Sequence, residues 1–298
     1  MGIINFGSMN LDHVYSLRHF VQPGETIQSE DYHIYSGGKG LNQSVAAARA
    51  GAKVLHAGMA GKGSEMLLDL LSSCGVDTTH IGKSEAAQGH AIIQVSESGE
   101  NCIILYPGSN ACITEEYIDD LLSSQLSQYV MLQNEISAVP YIIDTAYKRG
   151  FRVVFNASPF DASIMDIDLR KIDWLLVNEI EGSCLTGEQE PEGILAKIRE
   201  RSPETGIVLT LGKEGSLCVK GNRIIRQGIF PVPTVDTTAA GDTFTGYFVA
   251  GLDRGMELEL AIRHATAASA IAVTRQGAAP SIPLTGEVSD FLMKMKQV

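Results

Sequence analysis

The sequence predicts an α/β fold in which a mostly parallel central sheet carries helices and a small antiparallel excursion. Three observations point there. Short runs rich in Val, Ile and Leu alternate with longer helical patterns through the middle of the chain, which is the signature of βαβ units. Most of these runs are apolar throughout, as strands covered on both faces should be. The 298 residues, 44% of them hydrophobic, suffice for one large α/β domain or two ordinary ones with a well-buried core.

In chain order, the first candidate strand is Ile3 to Phe6, ending in Gly7. Asn10 and Asp12 follow at once, where loops at the carboxyl ends of parallel strands form a ligand crevice. Val14 to Tyr35 lacks helical periodicity, and Ser36-Gly37-Gly38-Lys39-Gly40-Leu41-Asn42 leads into a helical pattern from Leu41 to Ala50. A strand from Val54 to Gly58 and a helix from Glu65 to Cys74 come next. Gly51 and Gly75 stand after the two helices in the place of C′ caps. His90 to Val95 and Asn101 to Tyr106 read as a hairpin around Ser96-Glu97-Ser98-Gly99-Glu100. Since this hairpin and the Val14 to Tyr35 stretch fall between core elements, they read as one β excursion and not as a second domain. The rhythm resumes with a helix from Glu115 to Leu126, a strand from Tyr129 to Leu132, a helix from Val139 to Arg149 and strands from Arg152 to Asn156 and Trp174 to Asn178. A helix from Pro191 to Arg201 and a strand from Ile207 to Leu211 complete it. A second hairpin, Ser216 to Val219 with Arg223 to Arg226, extends the sheet edge. From Ala240 the chain turns helical, through Thr243 to Leu252 and Leu258 to Thr274, where the bias toward Ala in Ala265 to Ala272 suits close helix packing.

The 35 acidic and 23 basic residues give a formal charge of −12, which disfavours an extended nucleic acid or an anionic membrane as partner. The cysteines Cys74, Cys102, Cys112, Cys184 and Cys218 are scattered without a CxxC pair, and the expectation is a cytosolic protein with reduced thiols. The chain starts without a basic leader or a long apolar run, and no window is apolar enough to span a bilayer. The seven histidines lack paired ligand spacing, so no zinc site is expected.

The segment DTTAAGDTFTGYF, Asp236 to Phe248, sets the carboxylate of Asp242 after Ala239-Ala240-Gly241 at the mouth of a helix. Unpaired amides and the positive dipole end gather there, and side chains this small let an anion reach them. The residue types equally allow a plain helix cap, which contributes about 1 kcal/mol. The Gly37 to Asn42 turn offers a cation and an amide but departs from the phosphate-loop pattern, because Gly40 follows Lys39 where Ser or Thr is required. Asn, Asp and Lys together suit a polyhydroxylated ligand; Asn10 and Asp12 alone could equally make a turn. Glu135, Asn178 and Glu181 stand at strand ends, where capping a helix is the alternative.

Taken together, the run Gly37-Gly38-Lys39-Gly40-Leu41-Asn42 and the run Asp236-Thr237-Thr238-Ala239-Ala240-Gly241-Asp242 resemble the two signatures of the ribokinase branch of the PfkB sugar kinase family. Asn178 to Glu181 and Thr210-Leu211-Gly212 stand between them, and the likeness extends to about Pro283. The resemblance implies a ribokinase-like three-layer α/β/α sandwich, one kinase domain over 1–298, with a β lid from about 14–35 and 88–106. It implies ATP-dependent phosphorylation of a sugar hydroxyl, D-ribose to D-ribose 5-phosphate, with Mg²⁺ and K⁺. A family kinase for another pentose, ketose or nucleoside is the alternative, and a sugar or nucleotide sensor without activity a distant one. A dehydrogenase is disfavoured, since the dinucleotide fingerprint is missing.

By the same resemblance Asp242 is the catalytic base, and the amides of Ala239, Ala240 and Gly241 form the anion hole. Asn10, Asp12, Gly38, Lys39, Gly40, Asn42 and Glu135 contact the sugar with Asp242. Asn178, Glu181, Thr210, Gly212, Lys213, Gly215, Gly241 and Thr266 face ATP. Asp236, Thr238, Ala272, Arg275, Gly277 and Ser281 hold K⁺. The resemblance also implies a homodimer formed through the lid. Thr266 departs from the family, which often has a nucleotide-side His there, and Leu11 stands where Ala is common.

Overall fold

In the computed structural model of the protein, residues 2–125 and 127–295 are described. The chain opens with β1 (Ile3–Phe6), β2 (Asn10–Leu17), β3 (Asp31–Gly37), α1 (Lys39–Arg49), β4 (Val54–Ala57), β5 (Met59–Lys62) and α2 (Glu65–Ser73). It continues through β6 (Gly82–Ala87), β7 (His90–Ser96), β8 (Asn101–Tyr106), α3 (Glu115–Ser124), β9 (Tyr129–Gln133), α4 (Val139–Lys148) and β10 (Arg152–Asn156). The last part holds β11 (Trp174–Asn178), α5 (Glu179–Thr186), α6 (Pro191–Arg201), β12 (Gly206–Thr210), β13 (Ser216–Lys220), β14 (Arg223–Gln227), α7 (Ala240–Asp253), α8 (Leu258–Ala272) and α9 (Thr285–Met295).

Eight strands form one sheet in the order β14-β13-β12-β11-β10-β9-β1-β4, parallel from β12 to β4 and antiparallel across β12-β13-β14. Successive strand residues point to opposite faces, so two cores result. Ile3, Met131, Val154, Leu176 and Val208 pack with α1, α2, α7, α8 and α9. Ile4, Val130, Val153, Leu175 and Ile207 pack with α3, α4, α5 and α6 on the other face. This is the three-layer sandwich, and β1 lies between β9 and β4, so the chain leaves it toward both sides of the sheet. At such a reversal of strand order a crevice opens beyond the carboxyl ends.

The parallel strands and the helices expected between them stand where the alternation of patterns puts them, with ends shifted by a few residues at most, but α5 adds a helix between β11 and α6 that the patterns do not mark. Leu126, the expected end of one helix, lies outside the described residues. The β excursion is larger than expected, a four-stranded sheet in the order β3-β2-β7-β8. Pairing begins at Asn10 opposite Gly37, so Asn10 and Asp12 are strand residues and not the loop residues the sequence suggested. The parallel pair β5-β6 was not anticipated, because MAGK and GKSEAA lack the β-branched and aromatic residues that mark a strand. Among the described residues no helix is long and apolar enough to cross a membrane.

Candidate active site

Two helix N-termini meet at the crevice, and their amides are satisfied differently. At α1 the N-cap is Gly38, at φ 93°, which offers no side chain, and neighbours replace it. Lys39 N donates to Glu135 Oε2 at 3.0 Å, Gly40 N to Ser8 Oγ at 3.2 Å and Leu41 N to Ser8 O at 2.9 Å. This end is closed to an outside anion. At α7 the N-cap is Ala239, held in the left-handed region at φ 57°. Ala240 N reaches back to Thr237 O and Thr243 N to Ala239 O, but Gly241 N and Asp242 N have no acceptor among the described residues. The conformation of Ala239, uncommon for a residue with a Cβ, aims free amides into the crevice.

Asp242 is not a cap. Its carboxylate turns toward α1, where Oδ2 accepts from Asn42 Nδ2 at 3.1 Å and Oδ1 from Gln43 Nε2 at 3.0 Å. Asn42 Oδ1 is buried without a partner among the described residues. The helices come this close because Gly246, one turn after Asp242, has no side chain; a Cβ there would overlap Ala46. Gly40 has the same part against the Gly7 backbone.

The other residues expected on the sugar side are held by neighbours of their own. Asn10 is fixed by Asn110, whose Nδ2 donates to Asn10 Oδ1 at 2.7 Å and whose Oδ1 accepts from Met9 N at 3.0 Å. Asp12 lies over Gly37, where a Cβ would collide with its carboxylate. Burial, and then the charge of Glu135, push the Asp12 carboxyl up to about 7. Burial also raises the Glu135 carboxyl, partly offset by the donors Ser8 and Lys39. Burial works against the Lys39 ammonium, yet the carboxylates of Asp242, Glu135 and Glu181 outweigh it and strengthen its hold on its proton. A cation therefore stands among three anions beside the free amides.

Two cavities meet at the start of α7. One, of about 220 Å³, is lined by Lys39, Asn178, Glu181 and Ala239 to Asp242, with Asn156 and Ser158 at the end of β10. The other, of about 580 Å³, runs past Gly212, Lys213, Gly215 and Thr266 between Phe230 and Phe244. Thr210, Thr237, Ala240 and Gly241 belong to both, so a long ligand can lie through them with its middle at the amides. Asn178 and Glu181 do cap α5: Glu181 N donates to Asn178 Oδ1 at 2.8 Å, and Asn178 N to Glu181 Oε2 at 2.9 Å. The capping alternative is thus correct for this pair, which also lines the smaller cavity.

The expected K⁺ residues lie on two loops fastened together after β14 and α8. Val235 N and Asp236 N donate to Val273 O, and Gly277 N to Asp236 Oδ2 at 2.9 Å. Burial pushes the Asp236 carboxyl up, but donors on Thr238 and Gly277 outweigh it and hold it below the usual range. Arg49, at the end of α1, clamps Ala279 O and Ile282 O at 2.9 and 2.6 Å. Ser281 and the Arg275 backbone lie in this loop, next to the turn in which Arg275 N donates to Ala272 O. Among the described residues no three His, Cys, Asp or Glu side chains could jointly hold a metal, so an ion here would rest largely on carbonyl oxygens. Sequence reasoning missed Ser8, Gln43 and Asn110, all buried, and the half-buried Asn156, and no motif or spacing marks them.

The sequence profile of the pfkB family of carbohydrate kinases matches residues 2–285. The chain is 39% identical to the ribokinase of Haemophilus influenzae over 300 residues, covering 96% of each protein. It superposes on the crystal structure of Thermotoga maritima ribokinase with a TM-score of 0.88 and 35% identity, covering 98% of this chain and 99% of that one. The Arabidopsis thaliana ribokinase complexed with ribose and ATP also gives 0.88, at 28% identity and 98% coverage of both.

Proposed function

Because the chain belongs to the pfkB family of carbohydrate kinases, we propose that it transfers the γ-phosphoryl group of ATP to the 5-hydroxyl of D-ribose. The observation that carries this reading is the pairing of Asp242 with the free amides of Gly241 and Asp242 and with the unpartnered Asn42 Oδ1. Ribose lies among Asn10, Asp12, Gly38, Lys39, Gly40, Asn42 and Glu135. ATP fills the larger cavity beside Gly212, Lys213, Gly215 and Thr266, with its terminal phosphate at the start of α7.

Asp242 takes the proton of the attacking hydroxyl as the sugar oxygen bonds to phosphorus and the bond to ADP breaks. Little covalent help is needed, because charge and position dominate phosphoryl transfer. The free amides of Gly241 and Asp242 receive the developing charge, whereas that of Ala240, expected beside them, is engaged with Thr237 O; Lys39 balances the charge from the sugar side. Mg²⁺ supplies charge neutralisation on the phosphates when bound. Glu181 suits it, since this ion takes one or two carboxylates plus phosphate oxygens. K⁺ suits the loop of Asp236, Thr238, Ala272, Arg275, Gly277 and Ser281, with one carboxylate among neutral oxygens.

The chain reads as one kinase domain in which the four-stranded sheet is the lid over the sugar. Its register sets Tyr32, Ile34, Ile92, Ile104 and Tyr106 on one face, all exposed, and a second copy of the chain covers them. A cytoplasmic setting fits the free thiols, two of them exposed, and fractionation of source cells tests it.

Sugars and nucleosides assayed with ATP, in K⁺ and in Na⁺, test the activity. D-ribose should be the best substrate and K⁺ the better ion. If another compound turns over a hundred times faster, a difference of about 2.7 kcal/mol, the family kinase for that compound is the correct reading. Equal rates in the two ions would remove the K⁺ site.

A further inference from the structure

Asp242 is held by two amides, and only Asn42 has a part in the reaction above. Gln43 is fully buried, and both ends of its amide are engaged. Its Nε2 donates to Asp242 Oδ1 at 3.0 Å and to Asn156 Oδ1 at 2.9 Å, while its Oε1 accepts from Gln133 Nε2 at 2.7 Å. Gln133 also donates to Asn5 Oδ1 at 3.0 Å. Asn5 Nδ2 donates at 2.8 Å to both Gly40 O and Ser44 Oγ, and Ser44 Oγ meets His56 Nδ1 at 2.8 Å. His56 is fully buried and pushed down to about 4, so the row ends in a neutral ring.

These side chains come from β1, β4, β9 and α1, inside the parallel sheet and its first helix, where apolar residues are the rule. Each buried amide costs about 1–3 kcal/mol if left unpaired; the row pairs most of its polar atoms with one another and leaves Gln133 Oε1 and His56 Nε2 without a partner among the described residues. One consequence is directional. Gly40 O fixes the Asn5 amide, Asn5 Oδ1 in turn draws the Gln133 NH₂ group, and that group donates to Gln43 Oε1, which turns the Gln43 NH₂ group toward Asp242 and Asn156.

Resting on the kinase reading above, we propose that Gln43 is a positioning residue that fixes the rotation of the Asp242 carboxylate. Oδ1 is held by Gln43 and Oδ2 by Asn42, so the carboxylate plane is fixed from both sides, and Oδ2, whose partner Asn42 belongs to the proposed sugar site, is the oxygen assigned to the sugar hydroxyl. The second N–H of Gln43 ties this arrangement to Asn156, which lines the smaller cavity and donates to Leu176 O at 3.2 Å. The base and the floor beneath the phosphoryl group are thereby held in one frame.

Two variants test this. Gln43→Met keeps length and volume without the donor, and Gln43→Glu keeps shape while setting an acceptor against Asp242. With D-ribose and ATP, kcat should fall roughly 10- to 100-fold in Gln43→Met, the worth of a hydrogen bond to a charged group, and further in Gln43→Glu. The sugar KM should change less than about threefold, because Gln43 does not touch the sugar. The acid limb of kcat against pH should also move upward, since an anion that loses a donor holds its proton more tightly. Lys39, Asp12, Glu135 and Glu181, the titratable groups facing the site, are unchanged in both variants. A lower melting temperature with wild-type kcat and an unmoved acid limb would overturn the proposal; if Gln43→Met does not fold, Gln43→Glu decides. A wild-type protein inactive on every sugar would instead sink the kinase reading, and the role of Gln43 with it.

Discussion

Asp242 occupies the third position of α7, where a carboxylate ordinarily serves its own helix, yet both of its oxygens are held by α1. That difference separates a base from a cap, and it was invisible in the sequence, which shows neighbours along the chain and not the residue 200 positions away. The family motifs did single out Asp242, Lys39 and Asn42; the supporting Ser8, Gln43, Asn110 and Asn156 belong to no pattern that local spacing reveals. Asp12 gives a test at this scale. Its carboxyl, pushed up to about 7, is protonated below that pH and ionised above it. The ionised form accepts sugar hydroxyls better, so the sugar KM should fall as pH rises through about 7. In the free protein the folded chain holds a proton that the unfolded chain releases at 3.8. Stability should therefore decline with rising pH between these values, an effect that bound sugar offsets. A sugar KM that stays flat a unit either side of 7 would contradict the assignment.

Among the elements, α1 and α7 decide the geometry, and glycine decides how closely they pack. Gly246 faces Ala46 and the Gln43 carbonyl, so Asn42 and Gln43 lie within hydrogen-bond reach of Asp242. Gly246→Val should push the helices apart at about 1–3 kcal/mol of stability and lower kcat by more than any change in melting temperature explains. Wild-type turnover in that variant would mean that the close approach does not matter. Legibility followed periodicity. The core strands are plain because their runs are mostly apolar, whereas β5 and β6 carry no β-formers to read. α9 did carry a signal in Val288 and Leu292, buried four residues apart, but its other positions are mixed. β2 reads partly as a loop because Asn10 and Asp12 are polar, and their polarity serves contacts that only the fold supplies, Asn10 with Asn110 and Asp12 over Gly37.

For the whole molecule, strand order brings the chemistry together. β1 lies between β9 and β4, and the carboxyl ends of β1, β9, β10, β11 and β12 deliver Ser8, Glu135, Asn156, Asn178 and Thr210 to one rim of the sheet. The fold class was legible from alternation alone, and the reaction only from the paired signatures; the strand order that joins them is set by long-range packing, which periodicity does not encode. The small sheet extends from this rim with apolar side chains in solvent, including Ile104 at 62% exposure. Ile104→Glu should yield a monomer in sedimentation where the wild type is a dimer, and a wild type that sediments as a monomer would remove the proposed contact. The central claim is that Asp242 takes the proton of a ribose hydroxyl. Asp242→Asn would turn an amide group against one of two donors, so Asp242→Ala is the cleaner removal. The most direct measurement is D-ribose turnover by Asp242→Ala at saturating ATP, with ribose binding followed by calorimetry. Loss of roughly 10²–10⁴-fold in kcat, the worth of general base catalysis, with ribose still bound is the predicted result; turnover within a few-fold of wild type would contradict it.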